Sequence, residues 1–206
     1  AEKIKKNIFQ RVDVSEFLPL IQKDRANKGL ILVGCHFGSW EMNGASVGMI
    51  GFPVTVVAKK QANPYVDEMI VKIRNGFGMK TIDHGTALKN LVQALKNCET
   101  IGLVSDQDAG KKGVFVDFFG RKASTPSGGA QLALKYGVPI IVLMTVRLSL
   151  GKYKTIPRSV PIMEDDTIES LTQRYTSIME DIIREYPEQY FWMHRRWKTP
   201  YRKETA

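Results

Sequence analysis

A histidine and a carboxylate five residues apart, His36 and Glu41, are the residues of this chain best suited to chemistry. The apolar run at residues 30–33 predicts a buried strand, so His36 follows the carboxyl end of that strand. Residues 40–50 carry apolar side chains at helical spacing, which places Glu41 in the first turn of a helix. A carboxylate on one imidazole nitrogen fixes the tautomer and leaves the other nitrogen free to accept a proton. The pattern predicts a general base, with Gly38 giving the intervening turn its conformational freedom.

The same residues also fit a purely structural role. A histidine at a strand end and a carboxylate at the positive end of a helix dipole are both stable without any catalytic function. Cys35, directly before His36, raises a further possibility, a thiol nucleophile. Neighbouring side chains in an extended chain point to opposite faces, so we expect Cys35 to be a buried structural cysteine.

Composition restricts the class of protein. Thirty Lys and Arg residues against 21 Asp and Glu give a net charge of +9, which favours anionic partners such as lipid headgroups, an acidic carrier protein or nucleic acid. The two cysteines are too few for a disulfide framework, and the three histidines lack metal-ligand spacing. We therefore expect a reducing compartment, no metal and no cofactor.

The 206 residues suit one domain, and we predict a single domain over residues 1–206. Predicted strands and helices alternate along the chain, which is typical of an α/β fold with a mixed, mostly parallel sheet covered by helices on both faces. The predicted strands are residues 30–33, 53–58, 79–82, 101–104, 114–120 and 139–146. The predicted helices are residues 40–50, 65–75, 88–95, 125–135 and 168–185, with Thr125 as the N-cap of the fourth.

Four further charged residues are candidates for substrate contact. Asp106 and Asp108 follow a predicted strand, at the edge where α/β sheets build sites, and they are placed to orient Arg74 or another cation or simply to cap a loop. Arg195 and Arg196 lie among aromatic residues near the end of the chain, and arginine forks suit phosphate groups. We expect one of the two arginines to bind acceptor phosphate and the other to be an internal ion-pair partner. His194 is expected to pack with its hydrogen bonds satisfied, and His84 to be solvated.

Several of these motifs occur together in one known family. The chain resembles the lipid A biosynthesis late acyltransferases, the lauroyl and myristoyl transferases of the lysophospholipid acyltransferase superfamily. The resemblance covers residues 30–198 and rests on these segments: His36-Phe37-Gly38-Ser39-Trp40-Glu41, Asn63-Pro64 with Arg74 downstream, Asp106-Gln107-Asp108, residues 114–120 with Thr125, and residues 189–198. It implies a glycerolipid acyltransferase-like fold.

The resemblance implies transfer of an acyl chain from acyl carrier protein to a hydroxyl of a lipid A precursor, a glycolipid. The family's catalytic dyad falls on His36 and Glu41, and Arg74 matches an arginine able to stabilise the oxyanion. The implied location is peripheral, on the anionic surface of the bacterial inner membrane at its cytoplasmic face. Family members usually carry an N-terminal membrane helix that this sequence lacks, and we attribute the difference to truncation.

Two alternatives remain open. The first keeps the dyad but acylates another glycolipid or a glycerophospholipid from acyl-CoA, because both donors present the same thioester. The second is a basic nucleic-acid-binding module without catalysis, suggested by the charge and the interleaved aromatic residues. The basic residues are spread along the chain and no RNA-binding signature is present, so we expect no nucleic-acid partner.

Overall fold

The computed structural model describes residues 10–25, 28–83, 85 and 87–201. In chain order the elements are β1 (Val12–Asp13), α1 (Phe17–Arg25), β2 (Leu30–Gly34), α2 (Trp40–Met49), β3 (Val54–Ala58), α3 (Pro64–Gly76), β4 (Met79–Asp83), α4 (Ala87–Lys96), β5 (Thr100–Val104), β6 (Val114–Phe118), β7 (Arg121–Thr125), α5 (Gly128–Tyr136), β8 (Ile140–Ser149), β9 (Lys152–Val160) and α6 (Ile168–Glu185). Two short 3-10 helices cover Gly110–Lys112 and Pro187–Gln189. His84, expected to be solvated, lies outside the described residues.

Seven of the described strands form one sheet, in the order β1-β9-β8-β2-β5-β3-β4. All neighbouring pairs are parallel except β8 and β9, which form an antiparallel hairpin. The parallel strands β2, β3, β4, β5 and β8 therefore all end at the same edge, called here the carboxyl edge. Strand β9 runs the other way and ends at the opposite, amino edge. The predicted mixed and mostly parallel sheet is confirmed.

Both faces of the sheet are covered by apolar side chains of helices. On one face, Phe17 and Ile21 of α1 and Ala45 and Val47 of α2 pack against alternating strand residues. On the other face, α4, α5 and α6 contribute a larger cluster. This arrangement explains why the central strand β2 reads as an unbroken apolar run, because all five of its residues are buried. The expected two-sided coverage is confirmed.

One predicted element begins at the wrong residue. Thr125 is not an N-cap; it is the last residue of β7, paired with Val114 of β6 in a separate two-stranded sheet. Its hydroxyl donates to the carbonyl of Ala123 at 3.0 Å and is thus engaged within the strand. Helix α5 starts only at Gly128. The sequence prediction also omitted β1, α1, β7 and β9.

The other predicted elements match the structure within a few residues, and α6 matches at both ends. No helix within the described part of the chain combines the length and the apolar character needed to cross a membrane.

Candidate active site

His36 is held by a carboxylate, but that carboxylate belongs to Asp106. The Nδ1 atom of His36 lies 2.8 Å from Oδ1 of Asp106, and the backbone N–H of His36 donates to Oδ2 at 3.1 Å. Asp106 is only 4% exposed. Because an ionised carboxylate can only accept, Nδ1 carries the hydrogen and Nε2 is left with its lone pair. The imidazole is about one quarter exposed, so Nε2 is accessible to a substrate.

The register of the central strands explains this pairing. Strands β2 and β5 are parallel neighbours with Gly34 opposite Val104, and the N–H of Ser105 donates to the carbonyl of Gly34 at 2.9 Å. His36 and Asp106 each follow their strand by two residues, so the two chains leave the sheet side by side. The topology places an imidazole and a carboxylate at adjacent strand ends of the carboxyl edge.

The turn after His36 needs the glycine that the sequence provides. Gly38 has a φ of +51°, and a Cβ at this position would lie 2.2 Å from the carbonyl oxygen of Thr145. The N–H groups of Gly38 and Ser39 donate to the carbonyls of Gln189 and Thr145 at 2.8 and 3.1 Å. The turn is thus fixed against β8 and the closing segment, residues 189–201. This contact sets the position of His36 relative to helix α2.

The predicted contact between Glu41 and His36 is wrong. Glu41 instead accepts two hydrogen bonds from Arg74, at 3.0 Å from Nε and 2.6 Å from Nη2. Glu41 lies in the first turn of α2 and Arg74 in the last turn of α3, so the pair joins two neighbouring helices. The planar guanidinium meets the carboxylate side-on, which is a stronger arrangement than the imidazole contact would offer. Within the described residues Arg74 forms no hydrogen bond or ion pair with Asp106 or Asp108, so the alternative in which these carboxylates orient Arg74 is not observed.

An apolar cleft, partly open to solvent, lies beside this pair. Its floor is formed by strands β2, β3 and β5, and its walls by α2 and by Met79. Glu41, Arg74 and Asn43 are the charged and amide side chains that line it. Trp40 links the cleft to the base, because its ring lines the cleft and lies edge-on to the imidazole of His36 at 5.4 Å between centroids.

Asp108 attaches the closing segment to the loop after β5. Its carboxylate accepts from the hydroxyl of Thr199 at 2.8 Å and from the backbone N–H of Thr199 at 3.2 Å. The backbone N–H of Asp108 donates to Nε2 of His194 at 2.9 Å. His194 therefore has a hydrogen-bond partner, as expected. Asp108 holds the closing segment against the loop that carries Asp106.

Arg196 is the internal member of the arginine pair. It is buried, and it donates from Nη1 to the carbonyl of Ser124 at 2.5 Å and from Nη2 to the hydroxyl of Thr125. Burial lowers the pKa of Arg196, and the negative charges of Asp106 and Asp108 act in the opposite direction. The expected direct ion pair is absent among the described residues, because strand β7 supplies neutral acceptors instead. Arg195 is exposed and stays a candidate for substrate contact.

Cys35 and Tyr190 complete the buried surroundings of Asp106. Burial raises the pKa of the Cys35 thiol, and the charge of Asp106 raises it further. The thiol lies 3.8 Å from the sulfur of Met144, inside the core. Burial, and then the charge of Asp106, likewise raises the pKa of Tyr190. A thiol held neutral and inaccessible is a poor nucleophile, so Cys35 is the structural cysteine expected from the sequence.

Comparison with known proteins identifies a family. Residues 2–199 match the family described as bacterial lipid A biosynthesis acyltransferase. The chain is 32% identical to the lipid A biosynthesis lauroyltransferase of Escherichia coli (strain K12) over 84% of its own length and 57% of that protein. It is 30% identical to the lipid A biosynthesis palmitoleoyltransferase of the same strain, over 91% of this chain and 61% of the relative.

A more distant match concerns another glycolipid. The phosphatidylinositol mannoside acyltransferase of Mycolicibacterium smegmatis is 27% identical over 64% of this chain and 44% of its own length. The chain thus spans less than two thirds of the length of each of these relatives.

Proposed function

The chain belongs to the bacterial lipid A biosynthesis acyltransferase family, and we propose that it transfers a fatty acyl chain from an acyl thioester to a hydroxyl of a lipid A precursor. The observation that carries this proposal is the imidazole of His36, fixed by Asp106 beside an apolar cleft. The donor is acyl carrier protein, whose pantetheine thioester is already activated, so the reaction needs no cofactor. The reaction takes place peripherally at the anionic cytoplasmic face of the inner membrane.

His36 acts as the general base. An alcohol is almost wholly protonated at neutral pH, so Nε2 of His36 takes its proton as the oxygen attacks the thioester carbonyl. Asp106 stabilises the imidazolium that forms, because its charge is buried 2.8 Å from Nδ1. The tetrahedral intermediate then expels the pantetheine thiolate, which recovers the proton from His36. The products are an ester and a thiol.

Arg74 is the donor for the developing oxyanion. Two of its nitrogens are bound by Glu41, which fixes the plane of the guanidinium. Within the described part of the chain Nη1 donates no hydrogen bond, so this nitrogen is available to the thioester oxygen. A preorganised cation costs no reorientation when charge develops, which is the property that catalysis requires. Glu41 is thus a positioning residue for Arg74.

The cleft takes the acyl chain. Valine, leucine and glycine residues dominate its lining, and a fatty acyl chain offers only apolar surface to them. The acceptor approaches the exposed side of His36, and Phe191 of the closing segment lies 6.4 Å from the imidazole between ring centroids. Arg195 carries the fork that suits the phosphates of the acceptor.

The proposal is tested by an in vitro transfer assay with a panel of acyl carrier protein and acyl-CoA donors of different chain length, and with a lipid A precursor dispersed in detergent. We expect His36→Ala to lower turnover by about 10²-fold or more, because the base is lost. Cys35→Ala is the matched control, since the neighbouring thiol has no part in the reaction, and it should retain most of the turnover. Near-wild-type turnover of His36→Ala with an unchanged melting temperature would rule out His36 as the base.

A second candidate acceptor is another membrane glycolipid. The likeness to a phosphatidylinositol mannoside acyltransferase favours this alternative, because the same base and cleft would serve either hydroxyl. Adding phosphatidylinositol mannoside to the acceptor panel separates the two. Transfer to that lipid alone would assign the chain to the second activity.

A further inference from the structure

Several exposed apolar side chains lie at the carboxyl edge of the sheet. This edge contains the ends of β2, β5 and β8, the β8–β9 turn and the part of the closing segment that pairs with His36. The large apolar residues exposed there include Trp40, Val104, Leu148, Leu150, Trp192 and Met193. At the amino edge, Ile162 and Met163 follow the end of β9. The edge that carries the candidate active site is therefore also rich in apolar surface facing solvent.

The tip of the β8–β9 hairpin, residues 147–152, is the most prominent part of this surface. Leu148 is 56% exposed and Leu150 is 88% exposed. Gly151 has a φ of +71°, which allows the tight turn that carries Leu150 outward. Removing a leucine side chain from water is favourable, so two exposed leucines at one tip are suited to an apolar partner.

Basic residues surround the two leucines. Arg147 and Lys152 flank them in the chain, and both are exposed. Arg11 packs beside the turn, since a Cβ on Gly151 would lie 2.5 Å from its Nη1 atom. Within the described residues none of these three cations forms an ion pair, and the tip contains no acidic residue. Leucines bordered by unpaired cations complement a bilayer with anionic headgroups, which offers hydrocarbon below a layer of phosphates.

The hairpin tip is connected to the candidate base by hydrogen bonds. The side chain of Gln189 accepts from the N–H of Arg147 at 2.9 Å and donates to its carbonyl at 3.2 Å. The carbonyl of Gln189 accepts from Gly38, and the N–H of Phe191 donates to the carbonyl of His36 at 3.0 Å. One short segment thus contacts both the tip and the residue that would take the proton. These hydrogen bonds fix the position of the tip relative to His36.

We propose that the hairpin tip docks on an anionic lipid bilayer, with Leu148 and Leu150 inserted below the headgroups and Arg11, Arg147 and Lys152 on the lipid phosphates. Docking there presents the open side of His36 to the membrane, where the hydroxyl of a lipid acceptor lies. The inference rests on the proposed function only in that the acceptor is a membrane lipid. The occupant of the tip is the bilayer surface itself.

The direct test is sedimentation of the full chain with vesicles of phosphatidylcholine containing phosphatidylglycerol. We expect Leu148→Ser combined with Leu150→Ser to weaken vesicle binding by about tenfold or more, because insertion is lost. Ile162→Ser combined with Met163→Ser is the control, since these two residues are also exposed apolar side chains but lie at the opposite edge, and its binding should equal that of the wild type. Equal binding of the tip variant and the wild type would overturn the proposal.

The charge contribution is tested with Arg147→Gln combined with Lys152→Gln. Binding to the anionic vesicles should fall and should become less sensitive to salt, because fewer lipid phosphates are contacted. An unchanged salt dependence would exclude these two cations from the lipid contact.

A fluorescence measurement does not depend on the serine variants folding. Tryptophan is introduced as Leu150→Trp, with Ile162→Trp as its control, and emission is recorded as anionic vesicles are added. If the tip inserts, vesicles should shift the emission of Leu150→Trp to the blue by more than they shift that of the wild type. The emission of Ile162→Trp should show no such additional shift. Absence of a shift at position 150 would contradict insertion of the tip.

The activity assay separates this inference from the proposed function. In detergent the serine tip variant should keep the wild-type turnover and donor KM, whereas transfer to acceptor embedded in vesicles should fall together with binding. A wild type that transfers no acyl group would defeat the proposed function, and the vesicle measurements would still decide the role of the tip. A tip variant with a raised donor KM in detergent and intact vesicle binding would instead assign the tip to the acyl carrier protein and overturn bilayer docking.

Discussion

Two carboxylates near His36 have opposite surroundings. Asp106 is buried and contacts the imidazole, whereas the Glu41 side chain is about half exposed and contacts Arg74 at the rim of the cleft. A buried carboxylate beside an imidazole stabilises the charge that forms there, because little solvent screens it. A carboxylate at the rim fixes the direction of a cation. In the proposed reaction the first pair transfers the proton and the second stabilises the oxyanion.

The largest effect is expected when the buried pair is altered. Asp106→Asn keeps the shape of the side chain but removes the charge that stabilises the imidazolium, so kcat should fall by about 10²-fold. The acceptor KM should change little, because Asp106 lies behind the imidazole and does not face substrate. Steady-state kinetics with saturating donor check this prediction. An Asp106→Asn enzyme with wild-type kcat would remove the distinction between the two pairs.

A smaller effect is expected from the exposed pair. Glu41→Gln keeps an acceptor for Arg74 but loses the charge and the side-on geometry, so kcat should fall by about tenfold. Glu41→Asp keeps the charge, so its kcat should lie between the values of Glu41→Gln and the wild type. If Glu41→Gln impairs transfer more than Asp106→Asn does, the roles assigned to the two carboxylates are reversed.

The pairing of His36 with Asp106 shows what the sequence predicted and what it did not. The strands ending before His36 and Asp106 were predicted, and both residues were expected near a site. The sequence does not give the order of strands in the sheet, and only that order makes β2 and β5 neighbours. The sequence favours Glu41 instead, because it is near His36 in the chain and completes the dyad of the family that the chain resembles. A signal for Asp106 is also present, since His36 and Asp106 follow the ends of predicted strands by three and two residues.

Local features of the sequence explain why some elements were not predicted. Strand β9 contains Pro157 and several charged residues, so its pattern differs from that of a buried strand. Within the described part of the chain, the outer edge of β9 pairs with the two residues of β1. Helix α1 carries Pro19 in its first turn, where proline is tolerated but obscures the helical pattern. The sequence predicts the long helix α6 at both ends, because its apolar spacing is regular and Pro187 follows it; in the structure Thr167 caps its start.

The arginine pair extends the comparison of buried and exposed groups to stability. Arg196→Ala leaves the carbonyl of Ser124 and the hydroxyl of Thr125 without this partner, so the free energy of unfolding should fall by about 2 kcal/mol. Arg195→Ala alters an exposed side chain, so it should change the free energy of unfolding by less than about 0.5 kcal/mol. Denaturant unfolding measures both values.

The same two residues should separate in kinetics. Arg195→Lys keeps the charge but loses the planar fork, so the acceptor KM should rise while the donor KM stays unchanged. Equal stability losses in the two alanine variants would contradict the burial of Arg196. An acceptor KM unaffected in Arg195→Lys would remove Arg195 from the acceptor site.

The position of the hydrogen on the His36 imidazole shows directly whether Asp106 or Glu41 is its partner. Two-dimensional ¹⁵N–¹H NMR of the neutral imidazoles, with His36→Ala to assign the signal, distinguishes a hydrogen on Nδ1 from one on Nε2. We expect His36 of the wild type to carry its hydrogen on Nδ1. Asp106→Asn should disturb this tautomer, and Glu41→Gln should leave it unchanged. A hydrogen on Nε2 in the wild type, or a tautomer that responds to Glu41 rather than to Asp106, would contradict this expectation.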